Sequence, residues 1–288
     1  TTPWNTLSSA CSGQRAIRIS RSPTERGSLR NTSMLMEDRT GFVAGVANRR
    51  SIAWAVAKAL DREGARLALG YLGERELEAI EPLLEQLQTP PLLVQCDATK
   101  QDSVGAAFDK AGTELGRLDC LVHAIAFANR NDLVDRFTDT TIEGYQLALG
   151  VSAYTLNSLM RAAEPLMTEG GGVVALTYLG SERAIRNYNV MGIAKAALES
   201  GVRYLASEMG EKNIRVNALS AGPIRTLAAR GIGGLNEMLR VHAERAALKR
   251  NNTVDEVGDA ALFLCSPLSR GITGEVIYCD AGYRIMGM

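Results

Sequence analysis

The sequence predicts an α/β protein: a doubly wound sheet of seven parallel strands with helices on both faces. Three observations predict it. From Gly41 onward, short β-like runs alternate with helical ones, which is the pattern of successive βαβ units. The strand-like runs are continuously apolar, as expected of strands covered on both faces. No second composition regime appears after residue 41 of the 288. That length allows one large α/β domain or two ordinary ones, and uniform composition points to one.

The elements follow in order. "GFVAG" is apolar and closes on glycine, a first strand. "SIAWAVAKALDREGA" puts Ile52, Val56, Ala59 and Leu60 on one helical face, with Gly64 as its stop. "RLALGY" is the second strand, and a helix is expected near Arg75 to Gln88. "LLVQCD" is the third strand, followed by a helix from Ser103 to Leu115. "LDCLVHAIA" is the fourth strand, and a long helical region is expected from roughly Thr141 to Met167. "GGVVALTY" is the fifth, with a helix from about Asn189 to Met209. "IRVNALS" is the sixth, a helix near Val254 to Cys265 comes next, and "GEVIYCDAG" is the seventh.

Composition narrows the function classes. Hydrophobic residues make up 46% of the chain, a globular value, and no run approaches the ~18 apolar residues of a membrane span. Lys plus Arg (32) balance Asp plus Glu (32), so there is no general attraction to nucleic acid. The five cysteines form no CxxC pair and the two histidines lie far apart. The expectation is reduced thiols in a cytosol-like compartment and no metal site. Residues 1–33 differ from the rest: five arginines, seven serines and one acid. That bias fits an organelle transit peptide, or a disordered tail upstream of a start at Met34 or Met36. Residues 1–35 are therefore set apart as an N-terminal extension.

Doubly wound, Rossmann-like sheets bind ligands beyond the carboxyl ends of their strands, where strand order reverses. The first turn, "AGVANRRSIAW", carries the single glycine Gly45. Taken alone it is an ordinary strand-to-helix turn. Yet Ser51 falls where a helix begins, and its hydroxyl with the amides of Ser51 and Ile52 could meet a phosphate. "VQCDAT" sets Asp97 and Ala98 after strand three, where a carboxylate could accept from an adenine amino group. "AIAFAN" brings small residues after strand four, and "SAGPIRT" places Pro223, Ile224 and Thr226 near where a nicotinamide could lie.

Two tyrosines mark the other end of the cleft. Tyr188 precedes Lys195 by seven residues in "NYNVMGIAKAAL", and Tyr178 lies ten upstream. Seven helical residues turn about 700°, so Tyr188 and Lys195 share a face. An ammonium near a phenol favours phenolate and makes it a better proton donor to an oxyanion. Tyr178 is expected on the opposite wall of the same cleft. The same spacing also fits a packed amphipathic helix with a snorkelling lysine.

These stretches, with "GVANRRSIAWAVAKAL", "VHAIAFAN", "LKRN" and "GDAALFLCSPLSRGITGE", resemble the enoyl-acyl carrier protein reductases of bacterial fatty-acid synthesis. Those are a divergent branch of the short-chain dehydrogenase/reductases, and the likeness spans roughly residues 36–285. The branch spaces its pair Tyr-x6-Lys, whereas the wider superfamily uses Tyr-x3-Lys. Here Tyr188 plus four is Gly192.

The resemblance implies hydride transfer from a dihydronicotinamide to C3 of a trans-2-enoyl thioester. Tyr188 would hydrogen-bond the thioester oxygen, Lys195 would hold the nicotinamide ribose, and Tyr178 would shape the pocket. Gly45, Ser51, Ile52, Asp97, Ala98, Ala124, Ile125, Pro223, Ile224 and Thr226 would line the cofactor. Ala126, Phe127, Leu227 and Met238 would meet the substrate. Ile232 and Leu235 fall in a segment, about 226–245, that in the family covers it.

The end of strand two, "LGYLGERE", lacks the consecutive basic residues of NADPH-using relatives, so NADH is expected over NADPH, with Arg75 the residue that opposes this. Acyl carrier protein is the implied partner, a homotetramer the implied assembly, and the cytoplasm the implied location, or an organelle stroma or matrix if residues 1–33 are a transit peptide. Val190, Ile193, Ala197 and Val202 are expected either to face a neighbouring subunit or to face the sheet. Two other functions stay open: reduction of a different carbonyl or enoyl thioester, and a non-catalytic NAD(H) sensor. Ala44, Gly150 and Arg186 depart from the family pattern without explanation.

Overall fold

The structure is a computed structural model and describes residues 34–134, 136–226 and 234–287. Seven strands form one sheet in the order β3-β2-β1-β4-β5-β6-β7, with every neighbouring pair parallel. They are β1 (Thr40–Ala44), β2 (Arg66–Tyr71), β3 (Leu92–Gln95), β4 (Cys120–His123), β5 (Gly171–Thr177), β6 (Ile214–Ala221) and β7 (Val276–Cys279). The chain starts in the middle of the sheet and winds outward in both directions, so strand order reverses between β1 and β4. The carboxyl ends of those two strands open the crevice.

Alternation within the strands divides the core. Phe42, Leu121, Val173 and Val216 point to one face, where they meet α3 (Gln101–Leu115), α6 (Thr155–Ala163) and α7 (Asn189–Met209). Val43, Val122, Val174 and Leu219 point to the other, against α1 (Ile52–Arg62) and α9 (Val254–Cys265). Phe42 and Phe108 stack at 4.3 Å between β1 and α3. Each such fully buried side chain contributes roughly 1.5–3 kcal/mol. Sequence signals set the helix ends. Ser51 caps α1, and the chain leaves it through Gly64 at φ +91°. Thr253 and Glu256 form a reciprocal capping box on α9.

Three expectations on helices change. The helix expected near Arg75 to Gln88 is α2 (Glu74–Ile80) followed by a 3-10 turn over Glu81–Gln86. Pro82 lacks the amide that would continue the α ladder. The long helix expected over Thr141 to Met167 is α5 (Ile142–Leu149), a π turn over Gly150–Tyr154, then α6 and a 3-10 turn. Two helices were not expected from periodicity: the short α4 (Arg130–Val134) and the longer α8 (Leu235–Arg245). Among the described residues no helix is long and apolar enough to cross a membrane.

Candidate active site

The β5–α7 junction holds both tyrosines and the lysine. Tyr178 follows the last residue of β5, and Tyr188 is the cap residue of α7. Tyr188 sits between two left-handed residues, Asn187 (φ 62°) and Asn189 (φ 33°). Asparagine is among the few non-glycine residues that adopt this conformation at low cost. The two rings touch edge-to-face at 4.9 Å, so Tyr178 packs on Tyr188 instead of facing it across the cleft. Two glycines permit the packing. A Cβ at Gly180 would lie 2.4 Å from the Tyr188 ring, and one at Gly192 would lie 2.6 Å from the Gly180 carbonyl oxygen. Gly192 is the position four past Tyr188, and the β5 loop presses on it. A lysine cannot stand there, so the cation comes one turn later, at Lys195.

Lys195 is buried and donates to the Leu176 carbonyl at 2.6 Å. Burial pulls its ammonium down to about 8, and Glu199 pulls it back up. The Tyr188 phenol moves upward, first through burial and then through Tyr178 and Glu199. The downward pull expected from a neighbouring ammonium is not what prevails: the shift is upward, and Tyr188 is a neutral hydrogen-bond donor. Tyr178 is pushed to about 12 by burial, and its hydroxyl donates to the Met238 sulfur at 3.4 Å. That bond ties α8 to the tyrosine pair.

At the nucleotide end, Gly45 has φ +92°, and a Cβ there would lie 2.5 Å from the Ala124 carbonyl oxygen. The turns after β1 and β4 thus meet backbone to backbone, a floor that suits close approach of a flat ring or a pyrophosphate. Ser51 departs from expectation. Its hydroxyl donates to the Asn48 carbonyl at 2.7 Å and caps Trp54, and its amide also donates to Asn48. The Ile52 amide, at the first turn of α1, is the donor left for an anion. The Asp97 carboxylate accepts from the Thr99 amide and hydroxyl and pairs with Lys100. Those contacts, the Thr99 hydroxyl first, hold it below the usual carboxylate range. A carboxylate has about four acceptor positions, so room remains for one more donor.

Ala98 and Pro223 are buried, while Ala124, Ile125, Ile224 and Thr226 are half-buried around the crevice. Ala126 and Phe127 are exposed at its rim. Leu227 and Ile232 lie outside the described residues. Of the helical positions weighed for a neighbouring subunit, Val190 and Val202 are fully buried in this chain's own core, and Ile193 is exposed.

Sequence reasoning missed several residues that shape the site. Ser152, in the π turn, accepts from the Phe127 amide at 3.0 Å and donates to the Phe127 carbonyl at 3.2 Å. His123 ends β4, with Nε2 2.8 Å from the Thr155 hydroxyl and a nearby Lys195. Burial and that ammonium hold it neutral, at about 3. Glu199 accepts from the Thr177 hydroxyl at 2.6 Å. A buried acid one turn past a buried lysine on one helix was the available signal.

A family model described as Enoyl-(Acyl carrier protein) reductase matches residues 45–284. The enoyl-[acyl-carrier-protein] reductase [NADH] of Bacillus cereus is 49% identical over 254 residues, 88% of this chain and 99% of its own length. The corresponding [NADPH] enzyme of Staphylococcus aureus is 50% identical over 250 residues, 86% of this chain and 98% of its own. Among solved structures, the Bacillus cereus enoyl-acyl carrier protein reductase with NADP+ and indole naphthyridinone matches at a TM-score of 0.86 and 49% identity, covering 88% of this chain and 99% of that one. The Anaplasma phagocytophilum reductase in complex with NAD matches at 0.84 and 43% identity, covering 89% and 96%.

Proposed function

This chain belongs to the enoyl-acyl carrier protein reductase family, and from that premise we infer its reaction. It reduces the carbon–carbon double bond of a trans-2-enoyl-acyl carrier protein to the saturated acyl thioester, the last step of the fatty-acid elongation cycle. The observation that supports the catalytic assignment is the β5–α7 junction, where the Tyr188 ring packs against Gly180 and buried Lys195 follows it at the spacing of this branch.

The residues present fit a dinucleotide: the turns after β1 and β4 meet without side chains at Gly45, and Lys195 spends one of its three donors on Leu176. A bound dihydronicotinamide supplies the hydride. Tyr188, protonated, donates to the thioester oxygen as charge develops there. Lys195 directs its remaining donors to the ribose hydroxyls, and Ile52 offers its amide to the pyrophosphate. Gly45, Ser51, Asp97, Ala98, Ala124, Ile125, Pro223, Ile224 and Thr226 frame the cofactor. Tyr178, Ala126, Phe127, Leu227 and Met238 frame the acyl chain. Residues 36–288 act as one reductase domain, with residues 226–245 over the substrate.

NADH is the preferred cofactor. Leu72 and Gly73 follow Tyr71, so no cation stands directly after β2, and Glu74 and Glu76 open α2. A second reading, use of NADPH, is favoured by a cleft of about 330 Å³ between the first turn and α2. Arg49, Arg50 and Arg75 line it, and none of the three forms an ion pair among the described residues. NADH and NADPH oxidation at 340 nm with crotonyl thioester, in the parent and in Arg75→Ala, decides it. A kcat/KM at least about tenfold higher with NADH in both supports the first reading. Equal values that diverge in the variant support the second.

The assembly is a homotetramer. Ile142, Tyr154, Ile193 and Tyr204 expose apolar surface on or between α5 and α7, Tyr204 at 77%, and exposed patches of this kind mark interfaces. Light scattering that returns a monomer would refute it. The location is the cytoplasm, in keeping with bacterial relatives and four free thiols among the described residues; the alternative is an organelle stroma or matrix.

A further inference from the structure

We propose that Glu199 is a positioning residue for the reduction: buried one turn past Lys195 on α7, it holds the lysine charged and clamps the end of β5 beneath Tyr178. The proposal rests on the reading of Lys195 as the residue that binds the ribose.

The geometry is a two-point grip. Lys195 Nζ donates to the Leu176 carbonyl, and the Thr177 hydroxyl donates to Glu199 Oε1, both at 2.6 Å. Consecutive residues of β5 are thus held by consecutive turns of α7, and the next residue along the strand is Tyr178. Both charged groups are buried, Lys195 at 5% exposure and Glu199 at 6%. A buried charge without a compensating charge is costly. Yet Lys195 and Glu199 make no ion pair within 4 Å. The spacing is functional. A contact pair would occupy the donors that Lys195 needs for the ribose, whereas a carboxylate one turn away supplies the opposing field and leaves them available.

The groups that face this pair come from several elements. His123 on β4 is neutral, Tyr178 and Tyr188 are protonated, and Tyr278 on β7 is also raised by burial, with Glu182 and Arg284 beside it. Among them Glu199 is the group that raises Lys195.

Glu199→Gln keeps an oxygen for Thr177 and removes the charge. The experiment measures NADH affinity by fluorescence, and kcat/KM with crotonyl thioester, from about pH 6 to pH 9. An opposite charge at this range moves a titration by one unit or more. The alkaline limb should therefore fall by about one pH unit from its parental position at about 8, giving about fivefold weaker NADH binding near pH 8, about ninefold near pH 9, and a change within about twofold near pH 6. A parental profile, or an equal loss at every pH, would overturn the proposal. Glu199→Asp keeps the charge and shortens the reach to Thr177. Its alkaline limb must stay at the parental position, and a limb displaced as far as expected for the Gln variant would also overturn it. The affinity profile reads the role of Glu199 even where reduction is absent, so failure of the proposal and failure of the enoyl-reductase reading are separate results.

Discussion

Gly180→Ala should disable the enzyme while leaving it folded. The added Cβ would stand 2.4 Å from Cδ1 and 2.7 Å from Cε1 of the Tyr188 ring. Carbon atoms rest about 3.5 Å apart, so the ring must retreat by about 1 Å. Its phenol is the group assigned to the thioester oxygen, and a misplacement of about 1 Å can cost ~10²-fold in rate. That loss corresponds to about 2.7 kcal/mol of transition-state stabilisation. Overpacking itself costs about 1–3 kcal/mol of stability, or roughly 2–4 °C of Tm for each kcal/mol in a protein of this size. The assay is kcat/KM for NADH-dependent reduction of crotonyl thioester, with NADH affinity and Tm measured alongside. Affinity should change by less than about twofold. Gly210→Ala is the control, because a Cβ there meets nothing within 4 Å and its φ of −59° is helical. A Gly180→Ala enzyme with parental kcat/KM would refute the claim that this contact sets the catalytic position of Tyr188.

Lys195→Met should abolish NADH binding and stabilise the fold. The buried ammonium titrates at about 8 against an ordinary 10.5, so between those values the unfolded chain binds more protons and stability rises with pH. Below that window the burial costs on the order of 3 kcal/mol. The variant's Tm should exceed the parent's by several degrees near pH 7, with the gap closing above about pH 10; calorimetry that finds no gap, or one independent of pH, contradicts this. Gly45→Ala should weaken NADH at least about tenfold in a fluorescence titration, since φ +92° and a Cβ 2.5 Å from the Ala124 oxygen force the cofactor floor apart, at roughly 1–2 kcal/mol for the backbone alone. Parental affinity would show that the floor tolerates a side chain.

The parts of the fold that are local in cause were legible in the sequence. Helices α7 and α9 run over the residues that periodicity and caps indicate, and the seven apolar runs are the seven strands. The places of Tyr188 and Lys195 at the start of α7 were legible, and the β1 turn from Gly45, while their spacing alone fitted a packed helix as well as a site. What stayed hidden depends on tertiary approach. The π turn at Gly150–Tyr154 exists where Ser152 reaches the Phe127 backbone, and periodicity does not see an extra residue in a helical run. Nothing in the structure explains Ala44 or Arg186. The roles of Gly180 and Gly192 come from a loop pressing on a helix. The Tyr178–Tyr188 contact comes from the same approach of loop and helix, and the upward shift of both phenols comes first from burial, which spacing does not reveal.

The most direct measurement is NADH oxidation at 340 nm with trans-2-enoyl-acyl carrier protein as substrate, in the parent beside Tyr188→Phe. Loss of one such hydrogen-bond donor costs about 10²–10³ in kcat. The account predicts rapid oxidation by the parent, a saturated acyl product, and a kcat reduced at least about tenfold in the variant with NADH affinity unchanged. Equal rates in parent and variant, or NADH bound without turnover by either, would contradict it.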